Sequence, residues 1–230
     1  MLTVNNLSFS YGEVQALHSI NIDVPQEQIV SIMGRNGVGK TTLMKNIVGL
    51  LKPSAGTIML ENQGIERFPA HKRIRAGIGY VPQGRMIFPK LTVTENLRIG
   101  LVARQDGKVI PDEIFDLFPI LQEMHNRMGG DLSGGQQQQL AIARALVTDP
   151  KILILDEPTE GIQPNIIQQI GQILTKLVEQ RQMTILIVEQ YLDFVREFCQ
   201  HFYVMNRGEI VANAETGGLT QEIVKEYLSI

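Results

Sequence analysis

An apolar run, Ile29-Val30-Ser31-Ile32-Met33, gives way abruptly to Gly34-Arg35-Asn36-Gly37-Val38-Gly39 and then to Lys40-Thr41-Thr42. A buried strand must deliver the chain into this glycine loop, and the helical Leu43-Met44-Lys45-Asn46 must lead it out. Glycines allow backbone angles that side chains forbid, so successive N–H groups can converge on one anion. The helix starting near Gly39 aims its positive end at the same point. The spacing G-x-x-x-x-G-K-[ST] then assigns Lys40 to the β- and γ-phosphates of a nucleotide and the Thr41 hydroxyl to Mg²⁺. All nine residues from Gly34 to Thr42 are therefore candidates for phosphate contact. A glycine-rich turn with an exposed lysine is the competing reading, and the flanking strand and helix weigh against it.

A second motif, Lys151-Ile152-Leu153-Ile154-Leu155-Asp156-Glu157, is a continuous apolar run bounded by charge. It reads as a parallel strand buried on both faces. Its two carboxylates emerge at the strand's C-terminal end, where ligands bind in open α/β sheets. Beside a phosphate loop they divide the work: Asp156 holds Mg²⁺, directly or through water, and Glu157 orients the water that attacks the γ-phosphate. The third motif, Leu132-Ser133-Gly134-Gly135-Gln136, opens a helix with Ser133 as its N-cap.

With the third motif lying between the other two in the chain, the three together resemble the ATP-binding subunits of ABC transporters, and the resemblance covers nearly the whole chain. It implies an α/β fold: a P-loop NTPase (RecA-like) core, an N-terminal antiparallel β subdomain and an inserted α-helical subdomain. The division expected is one domain, 1–230, with 1–83 and 150–230 as core and 84–149 as the helical signature subdomain. The cofactors implied are ATP and Mg²⁺. In the family two subunits pair head to tail. The turn Ser133-Gly134-Gly135-Gln136 then covers the partner's nucleotide, with the Ser133 hydroxyl and the Gly135 N–H on its γ-phosphate. A helix N-terminus with glycine N–H groups is itself an anion site, which suits that role.

Other family positions match residue by residue. Tyr11 stands where the family stacks an aromatic ring on adenine, although a strand-edge tyrosine in the core would read the same way. Gln83 matches the glutamine that reaches Mg²⁺ and the attacking water. Met86, Ile87, Phe88 and Leu91 follow it, either as core or as the surface that packs against membrane subunits. Two departures stand out. Gln190 occupies the place of the usual histidine, so it can donate a hydrogen bond to a γ-phosphate oxygen but cannot become cationic. Glu160-Gly161-Ile162-Gln163 replaces the usual Ser-Ala-Leu-Asp. Both departures resemble the branched-chain amino-acid and urea uptake branch, and Pro82-Gln83-Gly84-Arg85 with the glutamine run 136–139 looks most like the urea-type subunit. The partners implied are a second ATPase subunit, transmembrane permease subunits and, indirectly, a periplasmic or extracellular solute-binding protein. The place implied is the cytoplasmic face of the membrane.

Composition agrees. A 230-residue chain with 43% apolar and 20% charged residues is globular and needs no staples. A net charge of −3 argues against nucleic acid as the main partner. A lone cysteine, Cys199, excludes an internal disulfide and fits a reducing compartment. No apolar run approaches a membrane span, and Met1-Leu2-Thr3-Val4-Asn5 lacks the pattern of a signal peptide. The four histidines, 18, 71, 125 and 201, have no ligand spacing.

Hydrophobic periodicity predicts strands at 2–11 (irregular at 5–6), 20–24, 57–61, 78–81, 152–155, 184–188, 202–205 and 209–212. It predicts helices from the glycine loop to about 51, then at 69–76, 93–102, 112–124, 134–147, 164–180, 191–198 and 221–228, with a polar link at 104–108. Strands alternating with helices argue a parallel sheet covered on both faces. Two rival functions fit the same motifs: a soluble ABC ATPase acting on nucleic acid or the ribosome, and a regulatory module that uses ATP as a switch. The chain has neither the paired ATPase units nor the long coiled coil of the first, and Glu157 speaks against the second.

Overall fold

A computed structural model describes residues 1–104, 107 and 109–228. Three residues of the expected polar link, Gln105, Asp106 and Lys108, lie outside the described residues, as do Ser229 and Ile230.

Two sheets share the work of building the site. The larger has six strands in the order β10-β9-β3-β8-β7-β6. These are β3 (Ile29–Met33), β6 (Ile78–Val81), β7 (Ile152–Asp156), β8 (Thr184–Val188), β9 (His201–Asn206) and β10 (Glu209–Glu215). Pairing is parallel from β9 through β6, and β10 closes one edge antiparallel to β9. All five residues of β3, β7 and β8 are buried, as near-continuous apolar runs demand of strands covered on both faces.

Strand alternation divides the core in two. Ile29, Met33, Leu153, Leu155, Ile185 and Ile187 join one cluster. Val30, Ile32, Ile152, Ile154, Leu186 and Val188 join the other. Over the second face lie α1 (Lys40–Val48) and the smaller antiparallel sheet, β2-β1-β4-β5. That sheet is made of β1 (Leu2–Tyr11), β2 (Val14–Val24), β4 (Ala55–Leu60) and β5 (Gln63–Gly64). The irregularity expected near residue 5 is present: Asn6 has φ 50, and the β1–β2 register shifts between Val4 and Leu7. On the first face pack α7 (Pro164–Arg181), α8 (Leu192–Phe198) and the helices between β6 and β7.

Those intervening helices are α3 (Val93–Leu101), α4 (Asp112–Leu117), α5 (Pro119–Glu123) and α6 (Gly134–Leu146). The single helix expected over 112–124 is two. Phe118 leaves helical geometry at φ −131, ψ 70, and Pro119 starts the next helix. Proline's ring disfavours the α region in the residue before it, so the break belongs at Phe118. The helix after the glycine loop also stops early, at Val48, where Gly49 takes φ 82 as a left-handed cap. Short α2 (Ala70–Arg75) carries Arg73, a fully buried guanidinium that donates to the carbonyls of Asn46 and Ile47 at the end of α1. In this way α2 secures the helix that the glycine loop leads into.

Candidate active site

The glycine loop between β3 and α1 is packed from behind by backbone. Gly34 has φ 149, and a side chain there would overlap the Met205 carbonyl of β9. Gly39, at φ 111, precedes the first residue of α1, and a Cβ there would stand 3.1 Å from the Ala16 carbonyl. Only glycine satisfies both the angle and the space at these two positions. The loop's outer side opens into a cavity of about 670 Å³, lined by Tyr11, the stretch from Asn36 to Thr42, Gln83 and Glu157.

Lys40 is buried, and its ammonium donates to the carbonyls of Gly34 (2.8 Å) and Arg35 (2.9 Å). It stands 3.6 Å from Glu157. Burial lowers the Lys40 pKa and the Glu157 carboxylate pulls it back up. Thr42 lies one helical turn before Asn46, which donates to its carbonyl. Tyr11 is 50% exposed, so it is not a core tyrosine. Its ring stands edge-on to Phe9, and its hydroxyl is 3.4 Å from the Thr42 hydroxyl.

At the end of β7, Asp156 is 1% exposed and both its carboxylate oxygens lack a hydrogen-bond partner. Burial, and then the charge of Glu157, push its carboxyl up to about 6, while the Thr41 side chain and Lys40 pull it down. Two orphaned buried carboxylate oxygens facing the Thr41 hydroxyl suit a hard cation that takes oxygen ligands, and Mg²⁺ fits them. Among the described residues no cluster of three or more His, Cys, Asp or Glu could hold a metal. A cation here therefore needs ligands from elsewhere, as a phosphate-bound Mg²⁺ has.

Glu157 has φ 51, and its N–H donates to the Val188 carbonyl. Three elements converge on its carboxylate. Gln83 donates to Oε2 (2.8 Å) and Gln190 donates to Oε1 (2.7 Å), and Lys40 lies beside it. The Gln83 amide is shared with Glu160 (3.1 Å), and the Gln190 amide with Asn36 of the glycine loop (2.8 Å). Gln190 thus bridges the phosphate loop and Glu157.

The signature turn is elsewhere. Ser133 caps α6 in a reciprocal box: its hydroxyl accepts from the Gln136 N–H (3.4 Å) and the Gln136 side chain accepts from the Ser133 N–H (2.9 Å). Gly134 lies against the Arg85 guanidinium and Gly135 against Ile166. Ser133, Gly134, Gly135 and Gln136 line a separate cavity of about 770 Å³, which shares no residue with the one at the glycine loop.

Gln15, Arg207 and Gly208 also line the cavity at the glycine loop, although no sequence motif marks them as site residues. The only signal was the turn Asn206-Arg207-Gly208, whose Gly208 N–H proves to donate to the Val38 carbonyl (2.9 Å). Of the apolar group after Gln83, Met86 and Phe88 are 67% and 45% exposed, while Ile87 packs on the core.

Residues 17–160 match the family model described as ABC transporter. The chain belongs to that family. It has the ABC ATPase fold and is an ATPase. BraG of Pseudomonas aeruginosa, a high-affinity branched-chain amino acid transport ATP-binding protein, is 39% identical over 219 residues, spanning 94% of this chain and 93% of that protein. LptB of Haemophilus influenzae, a lipopolysaccharide export system ATP-binding protein, is 35% identical over 217 residues, 92% of this chain and 89% of that protein. Among solved structures, the dimeric post-hydrolysis state of the ATP-binding cassette MJ0796 bound to ADP and Pi superposes with a TM-score of 0.85 at 28% identity, over 95% of this chain and 100% of that one. Among the described residues no helix is long and apolar enough to cross a membrane.

Proposed function

We propose that this ABC ATPase powers uptake of a small polar solute, urea or a branched-chain amino acid, from the cytoplasmic face of a membrane. The observation that carries the enzymatic part is the convergence of Lys40, Gln83 and Gln190 on Glu157, next to the orphaned carboxylate of Asp156. The amides of Gly34, Arg35, Asn36, Gly37, Val38 and Gly39 and the hydroxyls of Thr41 and Thr42 take the phosphates, Lys40 takes the β- and γ-phosphate charge, and Tyr11 takes the adenine. Thr41, Gln83 and Asp156 would hold Mg²⁺, which would supply screening of the phosphate charge. Glu157 accepts a hydrogen bond from the attacking water, and Gln83 and Gln190 hold that carboxylate in place. Gln190 supplies Glu157 with a neutral donor at the place of the usual histidine, so this position contributes direction without charge.

The separation of the two cavities supports a second subunit. Ser133 and Gly135, remote from their own glycine loop, cover the partner's triphosphate in a head-to-tail pair, as the dimeric cassette above would allow. Residues 84–149 act as the signature subdomain on a core of 1–83 and 150–230. Exposed Met86 and Phe88 meet a permease subunit, which communicates with a solute-binding protein. The names of BraG and of LivF from Archaeoglobus fulgidus favour amino acids, while the glutamine-rich signature helix favours urea. ATP turnover by the parent and by Glu157→Gln tests the enzymatic reading: equal rates would contradict it.

A further inference from the structure

Glu189 follows β8 directly and is 2% exposed, yet it has no part in the chemistry above. A buried carboxylate is costly unless its lone pairs are occupied. Here all are. One oxygen accepts from the Thr159 hydroxyl (2.6 Å) and the Thr159 N–H (3.0 Å). The other accepts from the N–H groups of Gln190 (3.0 Å) and Tyr191 (3.1 Å). The Glu189 N–H itself donates to the Ile32 carbonyl of β3 (3.2 Å).

These bonds close a ring. Glu157 is joined through the chain to Thr159, Thr159 to the Glu189 carboxylate, and that carboxylate to the backbone of Gln190. The Gln190 side chain then returns to Glu157 and also reaches Asn36. Two consecutive N–H groups on one oxygen fix the turn from which the Gln190 side chain departs. Amide direction matters more here than for a charged residue, because a neutral donor holds a carboxylate only with good geometry.

We propose that Glu189 is a positioning residue for ATP hydrolysis: it aims the Gln190 amide at Glu157 by tying the Gln190 turn to Thr159. The inference rests on the role given to Glu157 and Gln190 above. A carboxylate that only stabilises the fold would make no distinction between backgrounds with and without the Gln190 amide.

The test is a double-mutant cycle on ATP turnover, using the full chain with the subunits that co-purify with it. Glu189→Gln keeps shape but loses acceptor capacity, and should lower kcat about tenfold with KM for MgATP held within about twofold. In a Gln190→Ala background the same change should cost less than about twofold, because the amide it aims is gone. An unchanged kcat, or the same tenfold loss in both backgrounds, overturns the proposal. If Glu189→Gln fails to unfold cooperatively, Thr159→Val takes its place in the cycle and Thr159→Ser must restore turnover; equal loss in both backgrounds is again the contrary result. Glu157→Gln runs alongside. Turnover that survives this change would overturn the reading of the site and the inference with it, whereas Glu157-dependent turnover with an additive cycle overturns the inference alone.

Discussion

Replacing Asp156 with asparagine should stabilise the protein at neutral pH without Mg²⁺, and should weaken its stabilisation by Mg²⁺ added together with ATP. The buried carboxyl is raised from 3.8 to about 6, first by burial and then by Glu157. The folded state therefore holds this proton more tightly than the unfolded chain does. Below about 3.8 both states carry the proton, and the stability contributed by the protonated group is fully present. As pH rises to about 6 the unfolded chain ionises first, and that stability is lost. A gap of about two pKa units at roughly 1.4 kcal/mol each sets an upper limit of about 3 kcal/mol at neutral pH. Asparagine also buries a polar group, and Lys40 loses an attractive neighbour, so the net gain expected is about 1–2 kcal/mol. For a chain of this size that is a rise of about 4 °C in Tm. The assay is thermal unfolding of parent and variant in chelator, at neutral pH and near about pH 4, where the difference should vanish. A variant that melts below its parent at neutral pH in chelator would refute the reasoning.

Two further substitutions probe the scaffold. Arg73 donates to four carbonyls, those of Phe68, Asn46, Ile47 and Glu66, from a fully buried position. Arg73→Met should deprive all four of this donor, the Asn46 carbonyl keeping the Gly49 N–H, and should cost about 3 kcal/mol and about 10 °C in Tm by calorimetry. At Gly171 of α7 an added methyl would overlap the Phe198 ring of α8. Gly171→Ala should therefore destabilise by about 1–3 kcal/mol in urea unfolding despite alanine's better helix propensity.

The parts of the fold that were legible are those where two independent signals coincide. Ile78–Val81 and Thr184–Val188 were placed to the residue, because each is a buried apolar run stopped by Pro82 or by Glu189. The glycine loop was legible because its angles and its spacing serve one purpose. At 112–124 apolar periodicity ran across Phe118-Pro119 and masked a break that the proline alone could have revealed. The first half of β2 was missed because its hairpin, joining Tyr11 to Val14, turns on Gly12 at φ 60 between residues of weak alternation. Glu189 was invisible as a hub, since its partner Thr159 is 30 residues away and only the packing of β7 beside β8 brings them together.

The central claim is that one chain's glycine loop holds the triphosphate and another chain's signature turn covers it. Equilibrium binding of MgATP to the monomeric protein separates the two contributions most directly. The account predicts that Lys40→Ala weakens binding at least about tenfold, roughly the loss of one strong charge-assisted contact, while Ser133→Arg leaves it unchanged. Wild-type affinity in Lys40→Ala, or a comparable loss in monomeric Ser133→Arg, would contradict it.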